Sequence, residues 1–356
     1  MSTILERARS FCSRYGLRLP VLLAPMAGAS APSLSIAVAN AGGLASCGAL
    51  LMQPAEIEKW AADIRAGSNG PFQLNLWIPD PAPIRNADQE TRVRDFLADW
   101  GPAVAPEAGD AAPPDFTAQC DALLAAGPSA VSSVMGLFPP AFVAKLKERR
   151  ISWFANISTV AEARAAEAAG ADVIVAQGME AGGHRGCFDS KTAEARMVGL
   201  FALLPAVVDA VSVPVVATGG IADGRGVAAA LALGASAAQI GTAFLRCPEA
   251  KISPAWAEAL GKIAPEDTMI TRAFSGRAGR SIATDYVRAA IADGAPASAP
   301  YPVQRGLTAQ MRAAAQKDND LQRMQAWAGQ SAALGRAEPA AAVVQRVWED
   351  ALAILK

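Results

Sequence analysis

The stretch VPVVATGGIADGRGVAAALALGASAAQIGTAFL, residues 213–245, decides the fold. Its first six residues form a short apolar run with no polar alternation, as a strand buried on both faces requires. Glycines at 219 and 220 end the run, and an alanine-rich helical stretch follows. Gly234 then stands where a helix closes on a left-handed residue, directly before a second apolar run at 237–244. The unit is strand, glycine loop, helix, strand. Working outward, the same unit recurs, with apolar runs at 21–27, 43–50, 72–78, 130–136, 151–157 and 171–177. Helical stretches at 54–66, 139–149, 160–169 and 197–211 separate them, and Gly42, Gly127 and Gly170 repeat the position of Gly234.

Eight strands alternating with helices predict an α/β protein, a (β/α)₈ TIM barrel, with an open doubly wound sheet as the alternative. Such a barrel needs about 250 residues, which places it at 1–246. Residues 247–304, rich in Pro, Gly, Arg and Ala, read as an accessory segment over the C-terminal face. Residues 305–356 read as C-terminal helices packing back, anchored by Leu307, Met311, Met324, Trp327, Val344 and Trp348. A helix opens the chain, with Ile4, Leu5, Ala8, Phe11 and Cys12 on one face, and 101–114 reads as a proline-rich surface loop.

Composition narrows the function. The 356 residues carry net charge −1, which supplies no basic field for nucleic acid. The uncharged stretches 19–55 and 226–245 are broken by Pro20, Pro25, Pro32, Gly42 and Gly43, and by Gly234, Ser236, Gln239 and Gly241, so neither reads as a membrane span. Five scattered cysteines without CxxC argue against disulfides and zinc, and a cytoplasmic setting is expected.

Barrel chemistry sits at the C-terminal strand ends, with phosphate in the last two loops. Gly219, Gly220, Gly241 and Thr242 fall there, where backbone N–H groups and a hydroxyl can meet phosphate oxygens. Gly224, Gly226 and Ala229 match G-x-G-x-x-A, but the match starts too far beyond the strand and lacks the acidic residue ~20 positions on. It reads as a decoy. QGMEAGGHRG at 177–186 follows the sixth run and contains His184, the chain's only histidine. A histidine on a glycine loop at that rim reads as catalytic. No second histidine offers a metal site, no GxSxG elbow offers a serine nucleophile, and Cys187 reads as a buried thiol. Glu180 and Asp189 read as solvated charge or partners of Arg185. Met26 can supply an apolar face to a flavin ring, and Asn75 and Gln177 its amide partners.

Together APMAG (24–28), NAGGLAS (40–46), NLW (75–77), the histidine loop, ATGGIADGRGV (217–227) and QIGTAFL (239–245) resemble the nitronate monooxygenase family. APYPVQRGLT (299–308) and WAGQSAAL (327–334) resemble its class I branch. The resemblance implies FMN as cofactor. It implies oxidation of alkyl nitronates of the propionate 3-nitronate type by O2, through one-electron transfer to the flavin, to a carbonyl compound plus nitrite or nitrate. It casts His184 as the catalytic histidine, titrating near neutrality and abstracting the α-proton of a nitroalkane or hydrogen-bonding the nitro oxygens of a nitronate. It adds Ala24, Gly182, Gly183 and Gln239 to the cofactor set, and Trp256 and Tyr301 to the substrate pocket. The same barrel resembles FMN-dependent NAD(P)H:quinone and enoyl-acyl-carrier-protein reductases, which are the alternative; a non-catalytic flavin- or phosphate-binding module is a further one. The expected partners are a small nitronate or nitroalkane and O2, with room for a homo-oligomer interface.

Overall fold

A computed structural model describes residues 3–29 and 31–356. Its strands are β1 (Val21–Leu23), β2 (Ala45–Gly48), β3 (Phe72–Trp77), β4 (Ala130–Val134), β5 (Ser152–Ile157) and β6 (Val173–Gln177), followed by a two-residue strand β7 (Gly183–His184). Then come β8 (Val215–Thr218), β9 (Ala237–Ile240), β10 (Thr268–Thr271) and β11 (Gly279–Ile282). Eight of them form one parallel sheet in the order β1-β9-β8-β6-β5-β4-β3-β2. A parallel bridge between Leu22 and Leu44 joins β1 to β2 and closes the ring. The expected (β/α)₈ barrel is therefore what the chain forms.

Strand parity decides what faces inward. Leu22, Leu44, Phe154, Val175 and Val216 pack inside the barrel with Phe11 and Tyr15 of the helix Thr3–Tyr15, which plugs its N-terminal end. Neighbours one residue away, such as Val21, Leu23, Ala155 and Ala217, join the core beneath the outer helices. Two residues further along most strands the interior turns polar. Gln73 Nε2 donates to Gln239 Oε1 at 3.2 Å across the barrel, and Asn75, Gln177 and Thr218 form the layer above. The apolar half serves stability and the polar half faces the mouth.

Gly42, Gly127, Gly170 and Gly234 all take left-handed φ, between 56° and 110°, where a side chain would strain the backbone. The final helix, Ala340–Leu355, buries Val343, Val344, Val347 and Ala351 against the barrel. It crosses the helix Gly224–Ala232 so closely that a Cβ on Gly224 would lie 2.3 Å from Asp350 Cβ. The glycine of the decoy motif thus serves packing.

Several expectations need correcting. The eighth strand ends at Ile240, because Gly241 turns the chain into a 3-10 helix, Thr242–Arg246. The helix read at 197–211 is shorter, Leu200–Val208. The accessory region contains the antiparallel pair β10–β11, and β7 joins it as a third strand. The division at 304/305 falls inside the helix Val303–Leu307. A separate core of Phe274, Tyr286, Val303, Leu307 and Met311 also takes in Val93 and Leu97, from the connection between β3 and β4. Among the described residues, no helix is long and apolar enough to cross a membrane.

Candidate active site

Every residue assigned from the sequence to catalysis, cofactor or substrate pocket lines one cavity at the C-terminal mouth. Ala24 and Met26 follow β1, Asn75 lies in β3, Gln177 ends β6, and Gly182, Gly183 and His184 form the next loop. Gly219 and Gly220 follow β8, Gln239 lies in β9, and Gly241 and Thr242 follow it. Trp256 and Tyr301 reach the cavity from the accessory region.

The His184 loop is held from two sides. Below it, Gln177 Nε2 donates to the His184 carbonyl at 3.1 Å, and Gly186 N donates to Gln177 Oε1 at 2.8 Å. The Gln177 amide thus fixes the loop instead of standing free for a flavin. Beside it, Gly279 and Arg280 of β11 pair with His184 and Gly183. The ring packs edge-on between Trp77 and Trp327, at 4.7 and 4.8 Å between centroids. Its Nε2 lies 2.7 Å from Ser275 Oγ.

Burial, with Arg277, Arg305 and Arg312 around it, holds the imidazole at about 3, below its ordinary 6.5. His184 is therefore neutral through the physiological range, and the expectation that it titrates near neutrality is corrected. Desolvation disfavours the cation, and the guanidiniums add like-charge repulsion. Arg277 is buried and paired with Asp80, its Nε donating to Oδ2 at 2.7 Å.

The opposite wall is built for close approach. Gly219 and Gly220 have φ of 103° and 69°. No backbone carbonyl accepts from the N–H groups of Gly220, Gly241 or Thr242 among the described residues. Thr242 Oγ1 accepts from Gly329 N at 3.1 Å, which leaves its own hydrogen to donate. Ser331 Oγ donates to the Gly220 carbonyl at 2.6 Å and ties the C-terminal segment across this wall. Asn156 Nδ2 is buried with no acceptor among the described residues, and Asn156 lines the cavity. Such a donor is left for a partner that the protein does not supply. These free donors fit a phosphate-bearing cofactor such as FMN. Asn75 differs, since its Nδ2 is committed to Ser132 Oγ at 3.0 Å and only its oxygen is left over.

Glu180 is half-buried and not bonded to Arg185; its carboxylate accepts from Leu200 N at 2.8 Å and caps that helix. Arg185 is buried and donates to the Gly178 carbonyl at 2.7 Å. Among the described residues no group of three His, Cys, Asp or Glu could hold a metal.

Sequence reasoning missed Trp77, Asn156, Ser275, Arg305 and Trp327. Asn156 carries the signal that selected Asn75, an amide in an apolar strand. Trp327, read as a helix anchor, instead bridges Ser281 of β11 and lines the cavity.

Known proteins share this architecture. The family model described as nitronate monooxygenase matches residues 12–350. A nitronate monooxygenase of Paraburkholderia phytofirmans is 38% identical over 96% of this chain and 94% of its own length. The crystal structure of a nitroalkane oxidase from Streptomyces ansochromogenes superposes with TM-score 0.87 at 35% identity, covering 96% of this chain and 98% of that one. FabK from Thermotoga maritima gives 0.75 at 27%, covering 97% and 96%.

Proposed function

Because the chain belongs to the nitronate monooxygenase family of oxidoreductases, we propose that it oxidises alkyl nitronates with FMN and O2. The products are a carbonyl compound and nitrite or nitrate. When bound, the flavin supplies the electron acceptor for the nitronate and a route onward to O2. Gly219, Gly220, Gly241 and Thr242 would hold its phosphate, with Ala24, Gly182 and Gly183 close to the cofactor. Met26 would meet the ring, Asn75 would offer its amide oxygen and Gln239 its Nε2.

The observation that carries this reading is a neutral His184 in a cavity with no acidic lining residue among those described. An imidazole held that far below its ordinary value is a poor base for a neutral nitroalkane. It is a good hydrogen-bonding group for a nitronate that arrives ionised. Ser275 Oγ at Nε2 leaves Nδ1 as the nitrogen to meet a nitro oxygen. Where the Ser275 hydroxyl donates to Nε2 in place of the Arg277 carbonyl at 3.3 Å, Nδ1 carries the proton and donates. The donor and the surrounding positive charge both favour a bound anion. Trp77, Trp327, Trp256 and Tyr301 enclose the substrate side and exclude water.

Anaerobic mixing with propionate 3-nitronate and with NADH, in separate samples, tests the assignment through the flavin's visible band. Bleaching by the nitronate alone, with recovery in air, is the expected outcome. Bleaching by NADH alone would transfer the protein to the reductases of the same barrel.

A further inference from the structure

Outside the cavity, on the helix Phe116–Ala126 between β3 and β4, Gln119 is only 3% exposed. Its Nε2 donates to three main-chain carbonyls of a single loop: Ala49 at 3.1 Å, Leu50 at 3.1 Å and Met52 at 2.9 Å. An amide nitrogen has two hydrogens, so the three acceptors share them. Buried carbonyls that converge on one point need a donor between them.

The loop follows β2 and belongs to the working rim, where Gly48, Leu50 and Leu51 line the cavity. Residues 49–53 carry no helix or strand of their own. On one flank Ala49 N donates to the Asn75 carbonyl at 2.9 Å. On the other, a Cβ at Gly48 would lie 2.6 Å from Ala27 N, beside Met26. The loop is thus wedged between Met26 and Asn75, two residues of the proposed cofactor set, with Gln119 behind it. Leu51 is 41% exposed, so packing alone gives its side chain little reason to stay at the rim. Its backbone is fixed from behind instead.

We propose that Gln119 is a positioning residue for the cofactor, fixing the depth of the apolar wall of Met26, Leu50 and Leu51 that receives the flavin ring. This rests on the FMN reading above. It goes beyond that reading by naming a residue that touches neither flavin nor substrate.

The test is the Kd of the apoprotein for FMN, read from quenching of flavin fluorescence, beside the midpoint of urea unfolding. Gln119→Leu supplies no donor, and Gln119→Glu keeps the shape while losing the amide hydrogens. Both should raise the Kd roughly 10- to 100-fold, the range of one or two lost hydrogen bonds. A lower urea midpoint with an unchanged Kd would overturn the proposal, because a residue that only stabilises the fold leaves the folded site as it was. Hydrogen exchange reads the loop itself, with or without flavin. The amides of Ala49 and Met52 should exchange at least tenfold faster in Gln119→Leu, while β4 and β5 keep the parent's protection. Unchanged exchange at both amides would overturn the proposal as well. Should neither variant fold, Leu51→Ala tests the wall directly at a half-exposed site. A Kd raised roughly three- to tenfold is expected there, and an unchanged one would overturn the proposal. If the parent binds no FMN, the FMN reading fails, and hydrogen exchange still decides whether Gln119 holds the loop.

Discussion

Gly279 stands opposite His184 in the antiparallel ladder of β11 and β7, and a Cβ at that glycine would lie 3.0 Å from the ring of Trp327. One small residue of the accessory hairpin therefore sets both the backbone of the histidine and the approach of the tryptophan against its ring. In Gly279→Ala the ring must shift by several tenths of an ångström and the imidazole loses its wall. We expect kcat/KM for a nitronate to fall roughly tenfold, within the range that small misplacements cost, while flavin content is retained. Unchanged kinetics would show that Trp327 does not position His184.

Ser275 accepts from Arg277 N at 3.3 Å and meets His184 Nε2 at 2.7 Å, so it links the imidazole to the buried Arg277–Asp80 pair. Ser275→Ala removes one hydrogen bond, worth ~1 kcal/mol and so about five- to tenfold in rate if it acts in the transition state. The drop should appear in kcat/KM with flavin binding intact. Ser275→Thr, which keeps the hydroxyl, should recover part of it; equal loss in both variants would assign the serine to packing alone.

His184 is the only histidine, so imidazole NMR signals of the untagged protein report on it alone. With its folded value near 3, those signals should not titrate between pH 5 and 9. The sign for stability follows from linkage. Between about 3 and 6.5 the unfolded chain binds a proton that the folded protein refuses, so stability falls as pH drops through that window. His184→Asn should lose less stability than the parent over the same acid range in urea titrations. A signal moving with a midpoint near 6.5 would contradict both statements.

Asp80 is the carboxylate that neutralises Arg277, whose side chain is only 3% exposed. Asp80→Asn leaves that guanidinium buried and unpaired, a change that costs ~3–5 kcal/mol. Chemical denaturation should show a loss of that order. A loss under ~1 kcal/mol would mean that water reaches Arg277.

Gly241 gives the proposed phosphate wall its depth, since a Cβ there would already lie 3.2 Å from Ala24 Cβ and 3.5 Å from Met26 Sδ. Gly241→Val should purify with less flavin and require added FMN for full loading. A fully loaded variant would place the phosphate elsewhere.

The amino-acid sequence by itself determined the barrel and the position of its working rim. Apolar runs without alternation, each followed by a loop and a helix, leave few foldings that bury both faces of every strand. Strand parity then sends Asn75, Gln177, Thr218 and Gln239 to the interior mouth, because period two is a local property. Glycines at 219, 220 and 241 were legible for the same reason, since a turn or a bare backbone is written in the residue itself. The ionisation of His184 was not. Its ordinary value suggests titration near neutrality, and only the burial of the ring with Arg277, Arg305 and Arg312 from distant segments lowers it. Trp327 and Ser275 were equally silent, because an aromatic wall or a hydroxyl at 2.7 Å has no local signature. Tertiary structure alone decided which charges find partners, since electrostatic energy depends on distances through space between groups that the sequence keeps far apart.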